Sequence, residues 1–452
     1  MFKKMLVSIS IGMLTVSLAA CSGNKQDEAG NGQGQSPEPA PRAVETEKKP
    51  EPVTLSVFAG PGSFSVDEFK SYFVPAIEKK FPHITLEYVT GNPAQMLAAG
   101  SFPDIGMGGI GGLIGWKELA LPLDLNEPAK KRQADLNVYH KEGLNAIRTY
   151  SDRGELFALP MWINVYATLY NKDIFDKFGA AYLTDGMTWE QMKEIAVKLT
   201  RNVDGEQYRG LSIGGIDLLG EQKRLKIVDE KTNKAVFHTD EWNKIFQLGK
   251  DIVSIPGNGV ANPTQIWRDS PAFFDTGKLA IVPYFGSMVT KAATLTQENK
   301  MTFQWDIVSY PVHKDYPGMG PQFDAQVYFV SRTSKHQEQA FDVIYHMTSN
   351  PEVQTRIANI AKARPSIQLA TPVEQLYGTQ FPVLKDKNVK GIFKTIPTER
   401  NTTTPYNALS SAALLRGFAA YVTGTEDVNT VLRKAQDEAN AEIEVKKSQK
   451  KE

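Results

Sequence analysis

Segments with strand character and segments with helix character alternate along the chain from residue 53 onward. Residues 53–58 alternate apolar with polar side chains and are rich in β-branched residues, which predicts a strand. Apolar residues recur at helical spacing over residues 69–81, and residues 84–89 again have strand character. Thr188 and Gln191 form the capping-box pattern that begins another helix. Further helices are predicted at residues 239–253, 334–349 and 427–445, and an extended region at residues 154–170. This alternation predicts an α/β fold with layered, largely parallel sheets.

The first 52 residues differ in composition from the rest of the chain. Two lysines precede an apolar run that ends in Leu18-Ala19-Ala20-Cys21, which is the order of an export signal. The run is shorter than the about 20 residues that a membrane-spanning helix needs. A small-residue stretch ending in cysteine resembles the bacterial lipobox, so we predict a signal peptide at residues 1–20 and lipidation of Cys21. Residues 21–52 would then form a disordered tether, because they have few residues that could build a core. The expected location is the extracellular face of the cell membrane.

Charge and composition argue against several classes of protein. The chain has 51 Lys and Arg and 51 Asp and Glu residues, interleaved without a basic stripe, so no nucleic-acid partner is expected. Nothing after residue 20 is long and apolar enough to span a membrane. About 400 residues follow the tether, which is enough for two domains or two large lobes.

Motifs typical of catalytic and metal sites are missing or poorly placed. Residues 106–111 satisfy G-x-G-x-x-G, with Asp124 at the distance of a ribose-binding acid. Pro103 precedes these glycines where a dinucleotide site needs a strand, so we predict a glycine-rich loop between a strand and a helix. The six histidines show no close ligand pairing and Cys21 is the only cysteine, so neither a metal nor a cofactor is expected. No P-loop and no G-x-S-x-G elbow occurs. Glycoside hydrolysis, which needs two carboxylates about 5–10 Å apart, stays open.

Several aromatic residues lie where the chain changes direction rather than in helical stripes. Trp162, Trp267 and Phe323 each follow a proline-containing turn, and Tyr284 and Phe285 end a predicted strand. For each ring alone, ordinary core packing is an equally good explanation. Rings that pack on C–H faces, beside short polar groups that bind hydroxyls, would suit a sugar. The neighbouring polar residues are Asp104, Asn164, Arg268 and Asp324.

Five short motifs run through the body of the chain. They are FPDI at residues 102–105, GELFALP at 154–160 with LYNKDIF at 169–175, TWEQ at 188–191, FDTGKLA at 274–280 and VLRKAQ at 431–436. Their order and spacing resemble those of the extracellular solute-binding proteins of ABC importers, specifically the sugar-binding family 1.

The resemblance implies a two-lobed, periplasmic-binding-protein-like α/β fold of type II, with discontinuous lobes and a ligand in the cleft between them. The chain would cross between the lobes near residues 156–160, 280–283 and 323–330. The expected N-terminal lobe is residues 53–159 plus 284–325, and the expected C-terminal lobe is residues 160–283 plus 326–452.

The resemblance also implies which residues face the ligand. Asp104 would lie at the cleft edge, and Trp162 would follow the first crossing. The first strand runs into Gly60-Pro61-Gly62 where the family commonly has a tryptophan, so that stacking surface is either absent or supplied by Phe64. The expected ligand-binding residues are Phe64, Asp104, Trp162, Asn164, Trp267, Arg268, Tyr284, Phe285, Phe323, Asp324 and Arg364, with the two tryptophans stacking on the ligand.

The activity implied by the resemblance is capture rather than catalysis. A monomeric, lipid-anchored protein would close its lobes on a carbohydrate or oligosaccharide and deliver it to the transmembrane subunits of an ABC permease. Two alternatives stay open: a ligand-sensing subunit for a membrane receptor, and a lipid-anchored carbohydrate hydrolase.

Overall fold

The computed structural model describes residues 50–59, 65–260 and 269–449. The predictions for the signal peptide, for Cys21 and nearly all of the tether, and for Phe64, Trp267 and Arg268 therefore lie outside the described residues. Within the described residues, no helix is long and apolar enough to cross a bilayer.

Strands and helices alternate as the sequence predicts, but the two main sheets are mixed rather than largely parallel, because most of their strand pairs are antiparallel. The strands are β1 (Val53–Ala59), β2 (Ile84–Val89), β3 (Ile105–Gly109), β4 (Leu159–Ile163), β5 (Tyr166–Asn171), β6 (Arg201–Val203), β7 (Glu206–Leu211), β8 (Val228–Asp229), β9 (Lys234–Ala235), β10 (Leu279–Phe285), β11 (Trp305–Ser309), β12 (Met319–Gln322), β13 (Ala325–Val330), β14 (Arg364–Pro365) and β15 (Ile396–Thr398). The helices are α1 (Val66–Tyr72), α2 (Val74–Lys80), α3 (Pro93–Ala98), α4 (Leu113–Glu118), α5 (Asn126–Lys131), α6 (Lys141–Arg148), α7 (Lys172–Phe178), α8 (Trp189–Leu199), α9 (Ile216–Glu221), α10 (Asp240–Val253), α11 (Ser270–Phe274), α12 (Ser287–Gln297), α13 (Gln337–Ser349), α14 (Pro351–Asn359), α15 (Val373–Leu376), α16 (Asn407–Thr423) and α17 (Val428–Gln449).

Local sequence signals account for several of the helix ends. Thr188 and Gln191 form the predicted capping box at the start of α8, because the Thr188 side chain accepts from the Gln191 amide and the Gln191 side chain accepts from the Thr188 amide. The helix predicted over residues 69–81 is instead two helices, α1 and α2, which meet at Phe73. Pro75 lies in the first turn of α2, where proline is tolerated, and it could not have donated a hydrogen bond inside a continuous helix.

The first sheet has the strand order β14-β4-β13-β3-β1-β2. β1 pairs in parallel with both β2 and β3, whereas β13 pairs antiparallel with both β3 and β4. A strand from much later in the chain is thus inserted between β3 and β4. The lobe built on this sheet, which we call the first lobe, is therefore discontinuous in sequence.

The second sheet has the order β11-β5-β10-β7-β6 and forms the second lobe. β5 lies antiparallel between β10 and β11, and β10 pairs in parallel with β7. The helices α16 and α17 at the end of the described chain pack against α9 and α10, so they belong to this lobe as well.

Strand pairing corrects the expected lobe boundaries. The first crossing is Asn164-Val165, between β4 and β5, rather than residues 156–160. The segment 284–325, expected in the N-terminal lobe, contains β11 of the second sheet. Residues 326–330, expected in the C-terminal lobe, belong to β13 of the first sheet. The crossing expected near residues 280–283 is also wrong, because these residues lie within β10, and β10 and the next strand, β11, both belong to the second sheet. Short motifs carry no information about which distant strand is the hydrogen-bonding partner.

The glycine-rich segment predicted as a loop is the buried strand β3. Gly106 lies against the ring of Phe329 on β13, and a Cβ atom at this position would be 2.1 Å from that ring. Phe329 in turn packs edge-on against Trp116 at 4.3 Å between ring centroids. Glycine thus lets an aromatic cluster approach a central strand, and Pro103 interrupts no ladder because β3 begins only at Ile105.

Candidate ligand-binding cleft

A cavity of about 410 Å³ opens where the second sheet meets the segments that cross between the lobes. It is lined by Tyr166, Gly214, Asp217, Leu218, Glu221, Tyr284, Phe285, Gln322, Asp324, Arg400 and Leu415. A neighbouring cavity of about 230 Å³ shares four of these residues and extends to Gly111 and Ile114 of the first lobe. Together the two cavities form a continuous cleft that both lobes contribute to.

Three aromatic side chains form one wall of the larger cavity. Tyr166 at the start of β5 and Phe285 at the end of β10 are stacked, with ring centroids 4.8 Å apart and planes 30° apart. Tyr284 packs edge-on against Phe285 at 5.0 Å. Adjacent antiparallel strands hold these rings in place, because Phe285 pairs directly with Tyr166 in the ladder between β10 and β5. The wall offers planar apolar surface of the kind that packs on sugar C–H groups.

Helix α9 contributes two carboxyl groups, Asp217 and Glu221, which lie four residues apart and so share one face of the helix. The turn into the helix depends on Gly214, whose φ of +71° suits glycine and where a Cβ atom would lie 2.8 Å from the carbonyl oxygen of Pro283. Glu221 accepts a hydrogen bond from the Gln322 side chain at 2.7 Å, and Asp217 accepts one from the Leu218 amide at 3.1 Å.

Both of these carboxyl groups hold a proton more tightly than usual. Burial, followed by the negative charge of Asp217, raises the pKa of Glu221 to about 8, although Arg400 offsets part of the effect. Burial also raises the pKa of Asp217 above its usual value. The cavity therefore lacks the positive charge that would let both carboxyl groups ionise at neutral pH.

Arg400, which follows β15, links the cleft to the first lobe. Its Nε donates to the hydroxyl of Tyr150 at 3.1 Å, and its Nη1 donates to the carbonyl oxygen of Phe323 at 3.2 Å. The same Nη1 lies 3.9 Å from a carboxylate oxygen of Asp324. One largely buried guanidinium thus contacts residues of the first lobe and of the segment that leads into β13.

The crossing between β4 and β5 is held by a chain of hydrogen bonds. Trp162 donates from Nε1 to the Asn164 side chain at 2.9 Å, and the Asn164 side chain donates to Asp324 at 2.6 Å. The backbone amide of Asn164 also donates to the carbonyl oxygen of Asp324 at 2.9 Å. The two crossing segments therefore run side by side and are fixed to each other.

The predicted site residues fall into four groups. Tyr284, Phe285 and Asp324 line the larger cavity, and their contact with a ligand stays a prediction. Asn164 and Arg364 line a different cavity of about 220 Å³ beside the crossing, where Arg364 Nη2 lies 3.4 Å from His140 Nδ1. Trp267, Arg268 and Phe64 are outside the described residues.

The remaining predicted residues, Trp162, Phe323 and Asp104, are buried in the protein or hydrogen-bonded to other parts of the chain. Trp162 is 1% exposed and Phe323 is 6% exposed, and neither lines the two cavities of the cleft, so the stacking of Trp162 on a ligand stays a prediction. Both oxygens of Asp104 are occupied, one by the amide and hydroxyl of Ser56 and the other by the hydroxyl of Ser334. Asp104 therefore joins β1 to the start of β3 and to the segment after β13.

Sequence reasoning missed several of the cavity residues. They are Tyr166, Asp217, Glu221, Gln322, Arg400 and Leu415. A usable signal existed only for the α9 pair: two consecutive glycines, Gly214 and Gly215, precede a short helix with acids at i and i+4. Nothing local marks Arg400, because its partners lie about 80 and 250 residues earlier in the chain.

Comparison with known proteins agrees with this architecture. The model of the bacterial extracellular solute-binding proteins matches residues 75–376, and the chain belongs to that family. A mannitol-binding protein of Pseudomonas aeruginosa is 29% identical over 192 residues, which are 40% of this chain and 41% of that protein. The chain thus spans well under half the length of this curated relative.

Solved structures confirm the predicted two-lobed fold. An ABC substrate-binding protein from Listeria monocytogenes, in complex with cycloalternan, superposes with a TM-score of 0.68 at 18% identity and covers 87% of this chain and 99% of that one. A solute-binding protein from Agrobacterium vitis with bound D-mannitol has a TM-score of 0.60 at 20% identity, with 87% and 99% coverage. At these identities the likeness establishes the fold.

Proposed function

We propose that this protein captures a carbohydrate or polyol in its cleft and delivers it to an ABC importer. The observation that carries the proposal is the aromatic wall of Tyr166, Tyr284 and Phe285 facing carboxyl and amide groups across a cavity of about 410 Å³. Rings that cover C–H faces beside groups that bind hydroxyls form a sugar site. The ligands named for the two relatives, mannitol and cycloalternan, belong to this chemical class.

Binding would act through lobe closure. The cleft takes residues from both lobes and from the crossing segments, so a ligand that touches all of them binds the closed arrangement more tightly than the open one. The population then shifts toward the closed form by that difference in affinity. A permease that recognises the closed form would receive the loaded protein.

The cleft favours capture over glycoside hydrolysis. A hydrolase places two carboxyl groups on opposite sides of the scissile bond. Asp217 and Glu221 instead lie on the same face of α9, one turn apart, and so approach a ligand from one side. The third carboxyl group of the cavity, Asp324, accepts a hydrogen bond from the Asn164 side chain with one oxygen, and its other oxygen faces Arg400. We therefore propose binding without turnover.

The aromatic wall provides the test of the proposed site. Replacing Phe285 by alanine should weaken binding of the recognised sugar or polyol about tenfold or more, because the ring stacked on Tyr166 is lost from the wall. A panel that includes mannitol and malto- and manno-oligosaccharides would be screened by thermal shift, since a ligand at 100 times its Kd adds about 2.7 kcal/mol to stability. Affinities would then be measured by isothermal titration calorimetry.

Tyr316→Ala is the matched control, because Tyr316 is an exposed ring that does not line the cavity. Its affinity should equal that of the unaltered protein. Equal binding by Phe285→Ala, after circular dichroism has shown that the variant is folded, would contradict the assignment of the site. Accumulation of a cleaved sugar would contradict the proposal of binding without turnover.

We also propose that Cys21 carries a lipid that holds the monomeric body near its membrane partner. The support is the order of a basic start, an apolar run and Leu18-Ala19-Ala20-Cys21. Replacing Cys21 by serine should release the protein into the medium and leave ligand affinity unchanged, which fractionation and calorimetry would measure. Retention of the serine variant in the membrane fraction would contradict lipidation at this residue.

A further inference from the structure

Acidic side chains outnumber basic side chains in the lining of the larger cavity. Asp217, Glu221 and Asp324 line it together with one cationic side chain, Arg400. The guanidinium is committed to Tyr150, to the carbonyl oxygen of Phe323 and to Asp324. In the described part of the chain, neither α9 carboxyl group has a basic side chain within 4 Å. The α9 pair is therefore the uncompensated part of the cavity.

The hydroxyl of Tyr310 is an independent sign that a polar partner is missing. Tyr310 is fully buried, and its hydroxyl has no hydrogen-bond partner among the described residues. Its ring packs edge-on against Tyr166 of the aromatic wall at 5.6 Å. Burial raises the pKa of Tyr310, and Glu221, Asp217 and Tyr284 raise it further. Tyr310 does not itself line the cavity, so its hydroxyl is a buried polar group behind the aromatic wall that no described residue satisfies.

We propose that the ligand carries a protonated amine, as an amino sugar does, and that its ammonium group binds between Asp217 and Glu221. This inference rests on the proposed carbohydrate function and specifies the class of carbohydrate. An ammonium group supplies the missing positive charge and three donors for carboxyl oxygens. The rings of Tyr284 and Phe285, in the same cavity, add the electron-rich faces that attract organic cations.

Matched sugars isolate the contribution of the amine. For each of the glucose, galactose and mannose skeletons, calorimetry at about pH 6 would compare the neutral sugar, the 2-amino-2-deoxy sugar and its N-acetyl form. The neutral and amino sugars have nearly the same shape and differ in charge, whereas the N-acetyl form keeps the nitrogen but is uncharged and larger. We expect the amino form of at least one skeleton to bind about tenfold or more tightly than both of its partners.

Variants assign the preference to the α9 pair. Asp217→Asn keeps the size of the side chain but removes its charge, and it should reduce the ratio of amino-sugar affinity to neutral-sugar affinity by about tenfold. Glu298→Gln, on an exposed carboxyl that pairs with Lys300, should leave the preference unchanged.

Each other outcome has a definite meaning. For every sugar skeleton that binds, the neutral or N-acetyl form could bind more tightly than the amino form. That result would overturn the amine inference and leave the carbohydrate proposal intact. Binding of putrescine with no carbohydrate bound would overturn the carbohydrate proposal and support the requirement for an amine. Binding of neither carbohydrates nor amines would overturn both.

Discussion

Replacing Arg400 by alanine should lower the free energy of unfolding by about 2–4 kcal/mol and abolish tight ligand binding. The guanidinium is the only group in the described chain that hydrogen-bonds to both Tyr150 and the carbonyl oxygen of Phe323. Its side chain is 11% exposed, so water cannot readily replace it after truncation. Alanine would also leave Asp324 in a cavity with the α9 carboxyl groups and without a cation.

Urea denaturation of Arg400→Ala beside Arg224→Ala measures this effect. The ion pair of Arg224 with Glu399, at 2.8 Å, is shorter than that of Arg400 with Asp324, at 3.9 Å. However, Arg224 and Glu399 are both largely exposed. Exposed ion pairs contribute about 0–1 kcal/mol because water screens them, so Arg224→Ala should change stability little. Equal losses in the two variants would show that burial at Arg400 is not what gives the residue its effect.

The strands and helices of this protein follow from short-range pattern, whereas the arrangement of its lobes does not. The alternation at residues 53–58 produces β1, and the capping pair at Thr188 begins α8 as predicted. The insertion of β13 between β3 and β4 depends on hydrogen bonds across more than 150 residues. No periodicity within a strand specifies such a distant partner, which is why the lobe boundaries were wrong although the fold class was confirmed.

Some residues of the candidate site could be predicted from the sequence and others could not. Tyr284, Phe285 and Asp324 were predicted because they end or precede strands, and strand ends meet at the cleft. Trp162 follows the same logic but is buried, and its Nε1 atom donates to the Asn164 side chain. Arg400 could not be predicted, because its role arises only when Tyr150 and Phe323 come together in space.

The stability of the ligand-free protein should fall as the pH rises from about 5 to about 8, and Glu221→Gln should reduce this slope. The pKa of Glu221 is about 8 in the folded protein against the ordinary 4.5, because the carboxyl group is buried beside Asp217. Between these values the folded state keeps a proton that the unfolded state has lost. Stability from this group is therefore fully present below about pH 4.5 and is lost as the pH passes through the folded-state pKa, at up to about 1.4 kcal/mol per pH unit.

Glutamine resembles the protonated form of Glu221, since it is uncharged and keeps an oxygen to accept from Gln322. Glu221→Gln should therefore match the unaltered protein near pH 5 and exceed its free energy of unfolding by a few kcal/mol near pH 8, as urea denaturation across this range would measure. Asp217, whose pKa is also raised by burial, would retain a slope of the same sign.

Glu155 supplies a control with the opposite sign. A hydrogen bond from the Ser151 hydroxyl at 2.6 Å, together with backbone amides, lowers the pKa of Glu155 to about 2. Its contribution is present above the ordinary pKa and is lost only as the pH falls toward 2, so Glu155→Gln should leave the slope between pH 5 and pH 8 unchanged. If Glu221→Gln and the unaltered protein kept parallel stability curves over that range, the α9 carboxyl groups would not be the uncompensated charges of the cleft, and the reason to expect a cationic ligand would go with them.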